Sequence, residues 1–143
     1  MIRTALVLAG LGLGLTAVMA QSNPIAERQQ AMKAIGAATR EGAAMAKGEA
    51  PFDAAKAQAV FKTYSDSAKK AQTLFPDTAK TGGETTAAPK IWEDQAGFKA
   101  AFAKFEADAA AGASVTNIDG FRTAFGAATK NCGACHEVFR VKK

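Results

Sequence analysis

Cysteine and histidine are nearly absent, with two Cys and one His in 143 residues. A four-ligand structural zinc site built only from Cys and His is thereby excluded, and so is a disulfide scaffold. β-Branched residues are scarce as well, and no stretch alternates apolar with polar side chains for long, which removes a strand-based fold from consideration. The excess of 18 Lys and Arg over 13 Asp and Glu gives a formal charge of +5. That balance favours acidic partners but lacks the dense basic stripe of a nucleic-acid-binding protein. What remains, 48% apolar and 22% charged residues, is the composition of one small globular domain.

The first twenty residues stand apart. Arg3 forms a short positive region, Ala5 to Ala17 is apolar apart from Thr16, and Val18-Met19-Ala20 places small residues where a signal peptidase would need them. The apolar run is short and rich in Gly for a membrane span. Residues 1–20 are therefore expected to be a secretory signal peptide and 21–143 the mature domain, exported to the periplasm as a soluble protein.

Ala, Lys, Glu and Gln dominate the mature chain, and four segments carry helical periodicity. The first should run over about 24–46, with Ser22 or Asn23 as N-cap, Pro24 at the first helical position and Gly48 beyond the end. Its apolar stripe is Ile25, Met32, Ile35 and Ala43. The second, about 51–75, carries Ala57, Val60, Phe61, Tyr64, Ala68, Ala71 and Phe75 and is stopped by Pro76. Residues 77–88 lack periodicity and read as the one long connection. The third helix, about 89–111, shows Ile91, Gln95, Phe98, Phe102, Phe105 and Ala109, and the fourth, about 117–141, shows Phe121, Phe125, Ala128, Cys132, Cys135 and Phe139. Four helices with mostly short connections predict an all-α, antiparallel up-down-up-down four-helix bundle. The stripes are so rich in Ala that side chains alone leave part of the interior unfilled.

One constellation carries chemistry. Asn131-Cys132-Gly133-Ala134-Cys135-His136 contains the C-x-x-C-H pattern of covalent c-type haem attachment. On a helix, positions 132, 135 and 136 project to one side, so two thiols can add to the haem vinyl groups while the imidazole of His136 ligates iron. Gly133 and Ala134 are small enough to let a flat macrocycle lie close. The only Cys and the only His of the chain all fall within this motif, and one haem c would also fill the Ala-rich interior.

The sixth iron position decides between functions. The mature chain holds two Met, Met32 and Met45, and no second His. In an up-down-up-down bundle the end of the fourth helix lies beside the start of the first, which puts His136 and Met32 at depths of roughly 10 and 12 Å. Met45 is about 20 Å further along and on another side of the helix. Met32 is thus the candidate distal ligand, with core packing or lining of an open pocket as its other readings. Arg28, one turn earlier, could pair with a haem propionate. Without a second His or an acid-base group beside Met32, a haem enzyme such as a peroxidase is not expected.

Cys-x-x-Cys-His followed by Phe139-Arg140, Pro89-Lys90-Ile91-Trp92, Leu74-Phe75-Pro76-Asp77, and Lys47-Gly48 followed by Pro51 together resemble the class II cytochromes c over essentially the whole mature chain. The resemblance implies a four-helix bundle with one haem c near the C-terminus. It also implies one of two branches: low-spin cytochromes of the c-556 type, in which a Met on the first helix ligates iron, or high-spin, five-coordinate cytochromes c′ that bind NO or CO. Met32 matches the ligand position of the former. Arg140 matches the basic residue kept beside the proximal His in that family, and the first two helices often form a dimer face there. The expected function is electron transfer, with Lys130, Arg140, Lys142 and Lys143 steering an acidic redox partner.

Overall fold

The protein is described here by a computed structural model covering residues 23–142; the expected signal peptide, residues 1–20, and Lys143 lie outside them. Four long helices, α1 (Pro24–Lys47), α2 (Ala54–Ala71), α4 (Gln95–Ala111) and α5 (Ile118–Phe139), form the bundle, with a short α3 (Lys90–Glu93) and one 3-10 turn (Asp77–Ala79) in the connection after α2. Around the bundle α1 packs on α2, α2 on α4, α4 on α5 and α5 on α1. The antiparallel sense is visible where ends meet. Glu27 at the start of α1 pairs with Lys70 at the end of α2 at 3.0 Å, and Arg122 at the start of α5 donates to the carbonyl of Ala46 at the end of α1 at 2.8 Å. Among the described residues no helix is long and apolar enough to cross a membrane.

The termini follow their capping chemistry. Asn23 accepts from the amides of Ile25 and Ala26, Pro24 opens α1, and Gly48 closes it at φ 80°, a left-handed conformation that costs a residue without Cβ little. Asn117 caps α5 through the amide of Gly120 at 2.8 Å. Two of the expected helices depart from the periodicity. The second helix starts at Ala54 because Asp53 caps it through the Lys56 amide, and ends at Ala71 because the chain turns there, with the Thr73 hydroxyl donating to the carbonyl of Lys70. The third expected helix is broken at Asp94 (φ −131°, ψ 65°), whose carboxylate accepts from the Gly97 amide and so starts α4 afresh.

Aromatic rings fill the core around Tyr64. Tyr64, Phe61, Phe121 and Val60 are the largest fully buried side chains, and Tyr64 lies edge-on to Phe61 and stacked on Phe125. Helices α1 and α5 approach so closely that a Cβ on Gly42 would overlap the Phe125 ring. The first helix buries Arg28, Ala31, Ile35, Ala38, Gly42 and Met45 rather than the expected stripe of Ile25, Met32, Ile35 and Ala43. Ile25 and Ala43 are only half-buried. The other end of the bundle, toward the C-terminus of α5, is not closed by side chains.

Candidate functional site

At that end a cavity of about 530 Å³ opens between α1, α4, α5 and the connection before α3, and Met32, Cys132, Cys135 and His136 all lie on its wall. Its volume is in the range of small-molecule and cofactor pockets, and Ile35, Phe98, Phe102 and Phe139 make most of its lining apolar. A flat apolar cofactor with one polar edge suits these walls. The expected unfilled interior is therefore real, and it coincides with the C-x-x-C-H segment.

Both thiols are half-buried on α5, and burial pushes their pKa values up, so they hold their protons near neutral pH. His136 keeps solvent contact. Its ring nevertheless sits deep enough that burial, and secondarily the positive charge of Arg140, draws its pKa down. A neutral imidazole is the form that binds a metal. Gly133 and Ala134 are both exposed and neither lines the cavity, because at 100° per residue they fall on the outer side of α5 when Cys132 and Cys135 face inward.

Met32 lines the cavity from α1, half-buried, whereas Met45 is 2% exposed in the aromatic core. Arg28 and Arg140 also line the cavity. The Arg28 guanidinium is buried and is held by the carbonyls of Leu74 (3.4 Å) and Ala79 (3.0 Å) and the Thr85 hydroxyl (2.8 Å), with the Phe75 ring 4.8 Å away. Among the described residues Nε–H and one Nη1 hydrogen meet no acceptor, and either can donate singly to a carboxylate. Arg140 exposes its side chain while its backbone pairs with Ala87 in an isolated antiparallel bridge.

Sequence reasoning missed three parts of this site. Thr39 lines the cavity and donates to the Ile35 carbonyl, so its oxygen accepts the hydroxyl of buried Tyr64 at 2.8 Å. Burial holds the Tyr64 phenol up at about pKa 12. In the sequence Thr39 is only a polar residue between the stripe positions Ile35 and Ala43. Residues 84–87 form a wall without any periodic signal. Asn131, next to Cys132, is buried and donates to Asp108 of α4 at 2.7 Å; a polar residue on the inner side of an amphipathic helix was the available sign.

The hydrogen bond from Lys104, and then that from Asn131, holds the Asp108 carboxyl below the usual carboxylate range. A depressed folded-state pKa stabilises the fold above the ordinary Asp value, and that stabilisation is lost as pH falls through the depressed value. Asp108→Asn is accordingly expected to lower the melting temperature at neutral pH and to flatten its fall below about pH 4, as thermal melts across pH 2–7 would register. Parallel curves for the two proteins would contradict this clasp.

Comparison with known proteins gives one consistent answer. The model of the family described as Cytochrome C′ matches residues 23–140. The chain is 44% identical to a cytochrome c′ of Rhodopseudomonas palustris, over 92% of this chain and 90% of that protein. It is 37% identical to a cytochrome c-556 of the same organism over 100% and 99% of the two chains. The solved structure of cytochrome c′ from Rhodopseudomonas palustris superposes with a TM-score of 0.81 over 86% of this chain and 99% of that one, at 44% identity.

Proposed function

Because the chain belongs to the cytochrome c′ family, whose cofactor is covalently attached haem c, we propose that it is a periplasmic monohaem electron carrier with His136 and Met32 as axial ligands. When bound, haem c supplies a one-electron Fe(III)/Fe(II) couple. Cys132 and Cys135 would anchor it by thioethers, and His136 and Met32, on the same cavity, would be the residues that ligate its iron. Arg28 turns its spare N–H groups to a propionate, and Arg140 puts a fixed positive charge beside the proximal imidazole. Ile35, Phe98 and Phe102 keep water from the cavity walls. The observation that carries this reading is the presence of Met32 on the same cavity wall system as the C-x-x-C-H segment. If His136 and Met32 both ligate, they leave no open position for a gas ligand, which suits electron exchange.

A five-coordinate protein that binds NO or CO is the second reading, favoured by the higher identity to cytochrome c′ (44%) than to cytochrome c-556 (37%). Ferric and ferrous spectra with and without CO separate the two. A low-spin spectrum with a weak red iron–sulfur band, unmoved by CO, supports electron transfer; a high-spin ferrous spectrum that shifts on adding CO overturns it.

Lys130, Arg140 and Lys142 are exposed around the cofactor end of α5 and would meet an acidic redox partner. Raising ionic strength from about 0.01 to 0.15 M shortens the screening length from about 30 to 8 Å, so association with such a partner should slow several-fold in stopped-flow electron exchange. A rate independent of salt would eliminate this patch as the docking face.

A further inference from the structure

Residues Glu84–Ala88 run between the helix that carries Met32 and the helix that carries His136, and they are tied to both. On the α1 side Arg28 donates to the Thr85 hydroxyl at 2.8 Å and Gln29 to the Glu84 carbonyl at 3.0 Å. On the α5 side the Val141 amide donates to the Thr86 carbonyl at 2.9 Å and the Ala88 amide to the Phe139 carbonyl at 3.0 Å. Thr85 also accepts from the Ala87 amide at 3.2 Å, so a single hydroxyl both turns the segment and receives the buried guanidinium. Gly82 (φ 98°) and Gly83 (φ 58°) make the reversal that leads into it.

We infer that this segment is a strap that sets the spacing of the two axial side chains, with Thr85, Arg28 and Gln29 as positioning residues for Met32. The inference rests on the His136/Met32 reading proposed above. Arg28 and Gln29 lie one turn and slightly less before Met32, so a fixed attachment there fixes the rotation and rise of the turn from which Met32 projects. Arg28 has no carboxylate partner among the described ion pairs, and burial disfavours its charge. Its hydrogen bonds to Leu74, Ala79 and Thr85 therefore answer a strong demand, and the strap cannot move away without stripping a buried guanidinium of its 2.8 Å bond to Thr85. A thioether is a weak axial ligand that holds only while its sulfur stays within a few tenths of an ångström of the bonding position. An α1 held on one side only would let it drift.

The test uses the holoprotein and four variants: Thr85→Val, Thr85→Ser, Gln29→Ala and Met32→Ala. Thr85→Val keeps the shape of the side chain and removes the acceptor. Its expected result is a mixed-spin spectrum with CO binding to a substantial fraction of the ferrous protein, while Thr85→Ser remains low spin and closed to CO. Gln29→Ala should shift in the same direction by less. If Met32→Ala is high spin and CO-reactive but Thr85→Val and Gln29→Ala match wild type, the strap does not position the ligand, and this inference is overturned while the ligation reading stands. A wild type that is itself high spin overturns both. A loss of melting temperature in Thr85→Val with no spectral change also counts against positioning, since it is what a merely structural contact would give.

Discussion

Replacing Cys132 and Cys135 together by Ala is expected to cost the protein its cooperative fold as well as its covalent cofactor. In that variant only axial ligation holds haem, so acid extraction should remove it completely, whereas wild type should retain it. The apoprotein then has a cavity of about 530 Å³ walled by Ile35, Phe98, Phe102 and Phe139. At about 24 cal/mol per Å³, a cavity of that size would cost on the order of 10 kcal/mol if it stayed dry and rigid. That is comparable with the whole stability of a small domain, about 5–15 kcal/mol. Water entering such walls finds few polar partners and recovers little, so the helices at this end should lose fixed packing. The expected product keeps much of its far-ultraviolet helical signal, loses near-ultraviolet signal from Trp92 and the cavity Phe rings, and melts without a sharp calorimetric peak. A sharp transition near the wild-type temperature would mean that the aromatic half around Tyr64, Phe61 and Phe121 suffices alone.

Met32→Ala should change the spectrum more than any other single substitution that leaves the C-x-x-C-H segment intact. Loss of the thioether is expected to turn a low-spin haem high spin and to raise CO uptake by the ferrous protein from undetectable to stoichiometric. Because Met32 is only half-buried, the stability lost should lie at or below the low end of the about 2–5 kcal/mol typical of core Met→Ala changes. Met45→Ala is the matched control. Met45 is 2% exposed in the aromatic core, so its truncation should cost about 2–5 kcal/mol and leave the spectrum and CO response untouched. Denaturant melts and CO titrations of the two variants should thus give opposite patterns. A Met32→Ala protein with the wild-type spectrum would instead assign Met32 to the cavity wall.

The contrast between these two methionines illustrates what could be read in advance. Distance along the helix axis separates Met32 from Met45, and axial rise is a property of the chain alone. Asn23 before Pro24, Gly48 after α1 and Asn117 before α5 were legible for a related reason, since capping depends on residues a few positions apart. The break at Asp94 was not, because Ile91 and Phe98 keep helical spacing across it while the Asp94 carboxylate competes for the Gly97 amide.

The helical class, the number of bundle helices and the haem-attachment motif were legible in the amino-acid sequence alone, because periodicity, capping and motif spacing are all local. Tertiary structure alone decided what lies between the helices. It buried Arg28 against Leu74, Ala79 and Thr85, turned Gly133 and Ala134 outward, joined Asn131 to Asp108, and made an aperiodic stretch at Glu84–Ala88 into a strap between α1 and α5. These contacts join residues 23 to 57 positions apart. They depend on how close the packed helices come, which Gly42 against Phe125 helps to set, and no window of local pattern contains that distance.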